Sequence, residues 1–297
     1  MSTFQATRTT DSVRHVAADY LSLTKPTIVG LLVATALAAM VAAAHGRPHL
    51  LAMVAVIVGG FLAAGGAHAI NCWYDRDIDL KMSRTCRRPI PDGRIPGWHA
   101  LVMGIAMNAV AFAVLWAWAN LLAAALALLA TLIYVFVYTI WLKRSTPQNI
   151  VIGGAAGAIP PLVGWAAVTG GLDLTAVSLF LVIFLWTPPH FWALAQVIAR
   201  DYRQAGVPMM PVVASAESTK RQSVGYAVAT VAVSLVPYFT GDAGPFYLVG
   251  AVLLGVGLVG VSVLDLRGRR WTVPLFAYSI AYLAALFTIL AVAGLFA

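Results

Sequence analysis

The sequence has 297 residues, of which 61% are hydrophobic and only 10% are charged, with a formal net charge of +8. A soluble domain of this length needs more polar surface than such a composition supplies, so we predict an integral membrane protein. The net charge alone would suit a nucleic-acid-binding protein, but the placement of the charges argues against that class.

The apolar residues fall into nine continuous segments that predict membrane-spanning helices, each near the about 20 residues that a helix needs to cross a bilayer. The predicted fold class is therefore all-α, a polytopic membrane protein with nine transmembrane helices. It comprises an N-terminal arm, 1–26, and a single membrane domain, 27–297. The helices are predicted at 27–44, 50–70, 98–119, 121–142, 150–169, 174–199, 224–240, 245–264 and 274–296.

The basic residues predict the orientation of these helices. Eighteen of the nineteen Lys and Arg residues lie in connections on one side of the bundle, whereas Arg47 alone lies on the other. Because positive charge is retained in the cytoplasm, the N-terminus and the charged loops are predicted to be cytoplasmic and the C-terminus outside. No cleavable signal peptide is evident before the first apolar segment. We therefore predict a protein of the inner or plasma membrane, with no nucleic-acid partner.

Three aspartates follow the second predicted helix directly, in a chain with only eleven Asp and Glu residues. If this helix continues past Asn71, then Asn71, Asp75 and Asp79 are each four residues apart and share one face. Carboxylates and an amide oxygen suit Mg²⁺, which is usually held by one or two carboxylates and completed by water and substrate phosphates. Arg84 and Arg88 follow, and guanidinium groups match phosphate oxygens in pairs. The segment therefore predicts a metal–diphosphate site.

The same charges admit a less specific interpretation, because loops beside a membrane are usually charged and surface ion pairs contribute little energy. The scarcity of acids elsewhere and their helical register favour the functional interpretation for Asp75 and Asp79. For Asp77, which lies off that face, the two interpretations stay equal. Cys72 and Cys86 are predicted to form neither a disulfide nor a metal site.

Two later connections carry further polar groups. Asp201 follows the sixth helix, which Pro188 and Pro189 are predicted to interrupt. Its carboxylate is suited to bind a metal ion or to act as a general base, and equally to pair with a neighbouring arginine. Lys143, after the fourth helix, is either a positive anchor at the membrane edge or a phosphate contact.

Three segments resemble motifs of the UbiA-type intramembrane prenyltransferases, and most closely the branch of that family that acts on haem. The matching stretches are NCWYDRDIDLKMSRTCRRP, LKRSTPQNIVIGG and PPHFWALA…DYRQAGVPM. They occur in the family's order, and the resemblance covers nearly the whole chain, which implies a UbiA-like helical bundle. The sequence departs from the wider family where Cys72 follows Asn71, and where Ala205 replaces a second aspartate four residues after Asp201.

The resemblance implies transfer of a farnesyl group from farnesyl diphosphate to a vinyl group of haem B, giving haem O and diphosphate for haem–copper oxidase biogenesis. It implies Mg²⁺ as the cofactor, haem B as a substrate, and haem A synthase or oxidase assembly proteins as partners within the lipid bilayer. The implied catalytic residues are Asp75, Asp79 and Asp201, which would bind the metal ion together with Asn71. Diphosphate would be bound by Arg84, Arg88 and Lys143, and haem would be contacted by His190 or His68.

Two other functions fit parts of the pattern. A UbiA-type enzyme with another aromatic or tetrapyrrole acceptor would need the same acidic and basic residues. A non-catalytic haem transporter or assembly factor fits less well, because transporters place their acids near the bilayer midplane rather than at one face. The predicted interruption of the sixth helix is the one feature that a transporter explains equally well.

Overall fold

The computed structural model describes residues 15–296, and the rest of the predicted N-terminal arm lies outside this range. A short helix at 15–23 precedes the bundle. Within the described range, nine helices are long and apolar enough to cross a membrane, and the chain is an integral membrane protein as predicted. They are α1 (Pro26–Ala43), α2 (Leu50–Tyr74), α3 (Gly97–Trp118), α4 (Leu121–Ser145), α5 (Asn149–Thr169), α6 (Leu174–Val197), α7 (Ala216–Phe239), α8 (Pro245–Arg267) and α9 (Arg269–Gly294).

Each helix packs against the next one along the chain, and α9 packs back against α1 to close the bundle. The helix α5 also packs against α1, and α6 packs against α9, so these four helices form a closed ring of contacts. The closest approach of α2 and α3 depends on glycine. A Cβ atom added to Gly66 would lie 2.7 Å from the Gly104 carbonyl oxygen, which leaves no room for a side chain there.

Most helix boundaries differ by a few residues from the predicted ones, and those of α2 and α7 have a clear local cause. The helix α2 continues to Tyr74 rather than ending at residue 70, so it reaches the first aspartate. The helix α7 begins at Ala216 rather than at residue 224, because Ser215 caps it by accepting a hydrogen bond from the Ser218 amide. Its first two turns are polar, so a prediction based on hydropathy places them in the loop.

The predicted interruption of α6 is wrong, because this helix runs without a break from Leu174 to Val197. Pro188 and Pro189 lie inside it and are both buried. Proline removes one helical hydrogen bond, and a membrane helix tolerates that loss when neighbouring helices pack around the freed carbonyl group. The one feature that a transporter would have explained equally well is therefore absent from α6.

The second half of α4 is wound as a π-helix over Ile133–Leu142. The amide of Lys143 donates to the Tyr138 carbonyl, five residues back, as this wider helix requires. Thr139 Oγ1 likewise bonds to the Tyr134 carbonyl at 2.8 Å. π-Helical segments are rare in proteins, and those that do occur often lie at functional sites. This one brings Tyr134, Thr139 and Lys143 to the end of α2.

Candidate active site

Asp75 ends α2 and is almost fully buried. The helical register continues beyond it, since the Asp75 amide donates to the Asn71 carbonyl and the Asp79 amide to the Asp75 carbonyl, both at 2.9 Å. The predicted alignment of these three residues is therefore confirmed. Asp75 Oδ2 accepts hydrogen bonds from Asn71 Nδ2 at 2.6 Å and from Lys143 Nζ.

Asp79 is also buried, and its Oδ2 accepts a hydrogen bond from Arg88 Nη1 at 2.7 Å. Burial disfavours the charged form of Arg88, but the Asp79 carboxylate outweighs this and raises the pKa of the guanidinium. Thr85 Oγ1 donates to the Asp79 carbonyl at 3.0 Å, which folds the following loop back over the end of α2. The loop thus holds Arg88 against the carboxylate.

Asp77 is exposed, unlike the buried Asp75 and Asp79. Arg144 donates to both of its oxygens at 2.8 and 2.7 Å, and the same guanidinium lies over the Tyr74 ring, 4.8 Å from its centre. The hydrogen bond from Arg144 lowers the pKa of Asp77 to about 2. These are the contacts of a surface ion pair, which is the less specific of the two interpretations of Asp77.

Asp201 faces the loop that follows α2. Ser83 Oγ lies 3.0 and 2.8 Å from its two carboxylate oxygens, whereas neither Arg200 nor Arg203 pairs with it among the contacts of residues 15–296. The pairing with a neighbouring arginine, which was the alternative for this carboxylate, is therefore not what the structure has. The two loops also share a small buried apolar cluster, which includes Ile78, Met82, Tyr202 and Met209. The loop after α2 and the segment that carries Asp201 therefore pack against each other.

A basic cavity of about 320 Å³ opens on the other side of Arg88, between the helix at 15–23 and the loop after α2. Its floor includes Leu23 and Cys72, and its walls carry Arg84, Arg87, Arg88 and Arg94. Arg94 donates hydrogen bonds to the two carboxylate oxygens of Asp19 at 2.9 and 3.1 Å. Cys72 and Cys86 are free thiols, as predicted. Arg84 and Arg88, both predicted to bind diphosphate, thus line one cavity, whereas Lys143 is not part of its lining and contacts Asp75.

A second polar group lies one turn further back along α2. Lys25 Nζ donates to Asn71 Oδ1 at 3.1 Å and lies 3.5 Å from His68 Nδ1, which is 3.0 Å from the Tyr134 hydroxyl. Burial lowers the pKa of the Lys25 ammonium group to about 8. The amide oxygen of Asn71, predicted to support a metal ion, therefore faces a lysine, and its amide nitrogen faces Asp75.

The two histidines predicted to contact haem have different surroundings. His68 belongs to the polar group beside Asn71, near the carboxylates. His190 Nδ1 lies 2.8 Å from Ser279 Oγ, and its ring stacks on those of Trp186 and Phe276, with centroids 4.2 and 4.9 Å apart. A haem contact stays a prediction for both residues.

Mg²⁺ binding at this site depends on the oxygen atoms that line it. Among residues 15–296, no three His, Cys, Asp or Glu side chains come together as a preformed metal site. The buried carboxylates instead face cations, Asp75 at Lys143 and Asp79 at Arg88. Asp75 Oδ1 is nevertheless buried without a hydrogen-bond partner in the described range, although Arg144 Nη2 lies 3.6 Å from it. This arrangement fits Mg²⁺ that binds together with phosphate oxygens, since Mg²⁺ commonly uses only one or two carboxylates.

Sequence reasoning missed three residues of this site. Lys25 and Arg144 were counted only as charges that fix topology, and Ser83 was not considered. The available signal for Lys25 was its position immediately before Pro26, at the start of the first apolar segment. For Ser83 there was none, because its partner is 118 residues away.

The model of the UbiA prenyltransferase family matches residues 32–280 of the chain. A protoheme IX farnesyltransferase of Symbiobacterium thermophilum is 52% identical over 277 residues, which cover 92% of this chain and 93% of the relative. A protoheme IX farnesyltransferase of a Roseiflexus species is also 52% identical, over 92% of this chain but only 52% of its own length. The chain thus spans about half the length of some of the relatives that it matches.

Solved structures show the same fold at low sequence identity. A digeranylgeranylglyceryl phosphate synthase aligns over 95% of this chain and 100% of its own, with a TM-score of 0.79 and 17% identity. A UbiA homologue from Archaeoglobus fulgidus, solved with DMAPP and Mg²⁺ bound, aligns over 92% of this chain and 99% of its own, with a TM-score of 0.65 and 18% identity. These similarities confirm the predicted UbiA-like bundle.

Proposed function

The chain belongs to the UbiA prenyltransferase family, and from this premise we propose that it transfers a farnesyl group from farnesyl diphosphate to a vinyl group of haem B. The products are haem O and diphosphate. Relatives about half identical to this chain carry the name protoheme IX farnesyltransferase, which supports both the donor and the acceptor. The proposal keeps Mg²⁺ as the cofactor, in line with the UbiA homologue that binds Mg²⁺ and DMAPP.

One observation carries the proposal: two buried carboxylates, Asp75 and Asp79, lie side by side on one helical face, and each is paired with a cation. Buried ionised groups at a membrane edge are energetically costly and are usually retained for function. A diphosphate brings its own negative charge and a bound divalent cation. It can therefore insert between the carboxylates and Lys143 or Arg88 without leaving a charge unpaired.

In this mechanism Asp75 and Asp79 would hold Mg²⁺, and Asp201 would complete the site from the opposite loop. When bound, Mg²⁺ would supply positive charge to the leaving diphosphate. Arg84, Arg88 and Lys143 would each donate to oxygens of the diphosphate, and preformed donors of this kind favour the charged transition state. The allylic C–O bond breaks and its electron pair leaves with the diphosphate.

The acceptor then supplies the electrons for the new bond. The π pair of the vinyl group joins its terminal carbon to C1 of the farnesyl cation, which leaves a cation on the carbon next to the porphyrin ring. A water molecule binds that carbon and loses one proton. Water must stay out until this step, and the apolar cluster of Ile78, Met82, Tyr202 and Met209 closes the two loops over the region where the diphosphate binds.

The orientation of the chain follows from its charges. Eighteen of the nineteen basic residues lie on the side of the bundle where α2 ends and α3 begins. The proposal therefore places this side and the N-terminus in the cytoplasm and the C-terminus outside, in the inner or plasma membrane. The haem O product would pass to haem A synthase or to oxidase assembly proteins.

The proposal is tested by incubating the purified full chain in lipid nanodiscs with haem B, farnesyl diphosphate and Mg²⁺, and by measuring the mass of the extracted pigment. The expected product gains one farnesyl and one hydroxyl group. Parallel reactions offer a quinone-precursor ring and a chlorophyll-type tetrapyrrole. If one of these is prenylated while haem B is not, the family assignment stands and the acceptor is wrong.

A further inference from the structure

Lys25 places a positive charge against the acidic site from a part of the chain that the three motifs do not include. Its Nζ atom lies 3.1 Å from Asn71 Oδ1, and Asn71 in turn donates to Asp75 at 2.6 Å. We propose that Lys25 is a diphosphate-binding residue, supplied by the segment before α1. This inference rests on the proposed prenyl transfer and adds a donor-binding residue to it.

The backbone at Lys25 is in the left-handed conformation, with φ 52° and ψ 61°. Among residues 15–296, His45 is the only other residue besides glycine with a positive φ. This conformation costs free energy for a side chain with a Cβ atom. Pro26 disfavours the right-handed helical alternative, but it leaves an extended backbone available. The observed turn is the one that directs the lysine side chain toward α2.

The partners of Lys25 are neutral. Nζ contacts an amide oxygen and the His68 ring nitrogen, and no carboxylate of residues 15–296 lies within 4.0 Å of it. In contrast, Lys143 is paired with Asp75 and Arg88 with Asp79. A half-buried ammonium group that has only neutral partners is incompletely stabilised. An anion at this site would supply the missing charge, and the phosphate oxygens of the donor are the anion that the proposed function brings.

Purified variants in lipid nanodiscs test the inference through two measurements, the KM for farnesyl diphosphate and the binding of inorganic pyrophosphate with Mg²⁺ by calorimetry. Lys25→Met removes the charge, and we expect both constants to rise about tenfold, equivalent to about 1.4 kcal/mol. The KM for haem B should not change. Lys25→Arg should retain most of the affinity. Lys81→Met, at an exposed lysine of the neighbouring loop, is the matched control and should match the wild type.

Two further variants separate direct binding from indirect effects. Lys25→Asn also removes the charge but tolerates the left-handed backbone, so its affinity should fall as far as that of Lys25→Met. Normal affinity in Lys25→Asn would overturn the inference and assign the effect to backbone strain. The Lys25→Met change is then repeated in the Asn71→Ala background. If it no longer weakens pyrophosphate binding there, Lys25 acts by positioning Asn71, and direct binding is wrong.

Pyrophosphate binding does not require the acceptor, so the inference and the proposed function fail separately. A wild-type chain that binds pyrophosphate in a Lys25-dependent way but makes no farnesylated haem retains the inference and loses the function. A chain that makes haem O while Lys25→Met binds pyrophosphate normally retains the function and loses the inference.

Discussion

Ser83 Oγ lies 2.8 Å from Asp201 Oδ2 and 3.0 Å from Asp201 Oδ1, although 118 residues separate the two along the chain. This contact joins the loop after α2 to the end of the sixth helix. It replaces the arginine partner that the sequence around Asp201 suggests. Asp201 is therefore oriented from the first acidic segment, and the two segments lie against each other.

Removal of the Ser83 hydroxyl should weaken catalysis. In Ser83→Ala the Asp201 carboxylate stays buried without this partner, and loss of a hydrogen bond to a charged group costs about 1.5–3 kcal/mol. We expect kcat/KM to fall by at least about tenfold, while Ser83→Thr keeps most of the activity. Ser145→Ala removes an exposed hydroxyl that bonds only to backbone carbonyl groups and is the control. Wild-type rates in Ser83→Ala would contradict the role given to Asp201.

The three aspartates after α2 should differ in their importance, although they lie within five residues. Asp75→Asn and Asp79→Asn each remove a buried charge from the proposed metal site, and we expect product formation to fall at least about 100-fold. Asp77→Asn removes only an exposed partner of Arg144 and should retain activity within about threefold. Haem O formation, measured with thermal unfolding in detergent, separates lost chemistry from lost folding. Equal losses in all three variants would contradict the distinction between Asp77 and the buried pair.

Chelation of divalent cations should abolish activity without unfolding the chain. The carboxylates do not need a metal ion for charge compensation, because Lys143 and Arg88 already pair with them. We therefore expect EDTA to stop haem O formation, and added Mg²⁺ to restore it, with little change in the melting temperature. A large drop in melting temperature on chelation would instead indicate a structural metal site. Continued turnover in excess EDTA would exclude the proposed use of Mg²⁺.

Local sequence patterns predicted those features that depend on neighbours in the chain. The nine apolar segments gave the helix count over the described range, because a membrane span requires about 20 apolar residues. The spacing of Asn71, Asp75 and Asp79 predicted their shared face, because side chains four residues apart in a helix lie on the same side. These rules need no tertiary information.

Contacts between distant segments could not be predicted in this way. The hydropathy pattern places Lys220 in the connection before the seventh helix. In the structure Lys220 is buried within α7, where it pairs with Asp265. That partner lies 45 residues further along the chain, so the local sequence gives no sign of it. The π-helical turn that brings Thr139 to Asn71 likewise leaves no mark in the hydropathy of α4. Hydropathy measures only a residue's average preference for water, whereas burial of a charge depends on its partner.

The Lys220–Asp265 pair should be essential for stability rather than for chemistry. Lys220 Nζ lies 2.9 Å from Asp265 Oδ1, to which Thr272 Oγ1 also donates at 2.6 Å, so the pair joins α7, α8 and α9. Both side chains are buried, and removal of one partner leaves the other charge unpaired in an apolar environment. We expect Lys220→Met or Asp265→Leu alone to lower the free energy of unfolding by about 3–5 kcal/mol.

The double variant, Lys220→Met with Asp265→Leu, should recover much of this loss, since it removes both charges together. Unfolding of each variant in a graded mixture of mild and denaturing detergents measures the difference. The exposed pair of Arg221 with Glu217, at 2.5 Å on the same helix, is the control, and Arg221→Met should change stability by no more than about 0.5 kcal/mol. If the two single losses simply add in the double variant, the two residues do not stabilise the bundle as a charge pair.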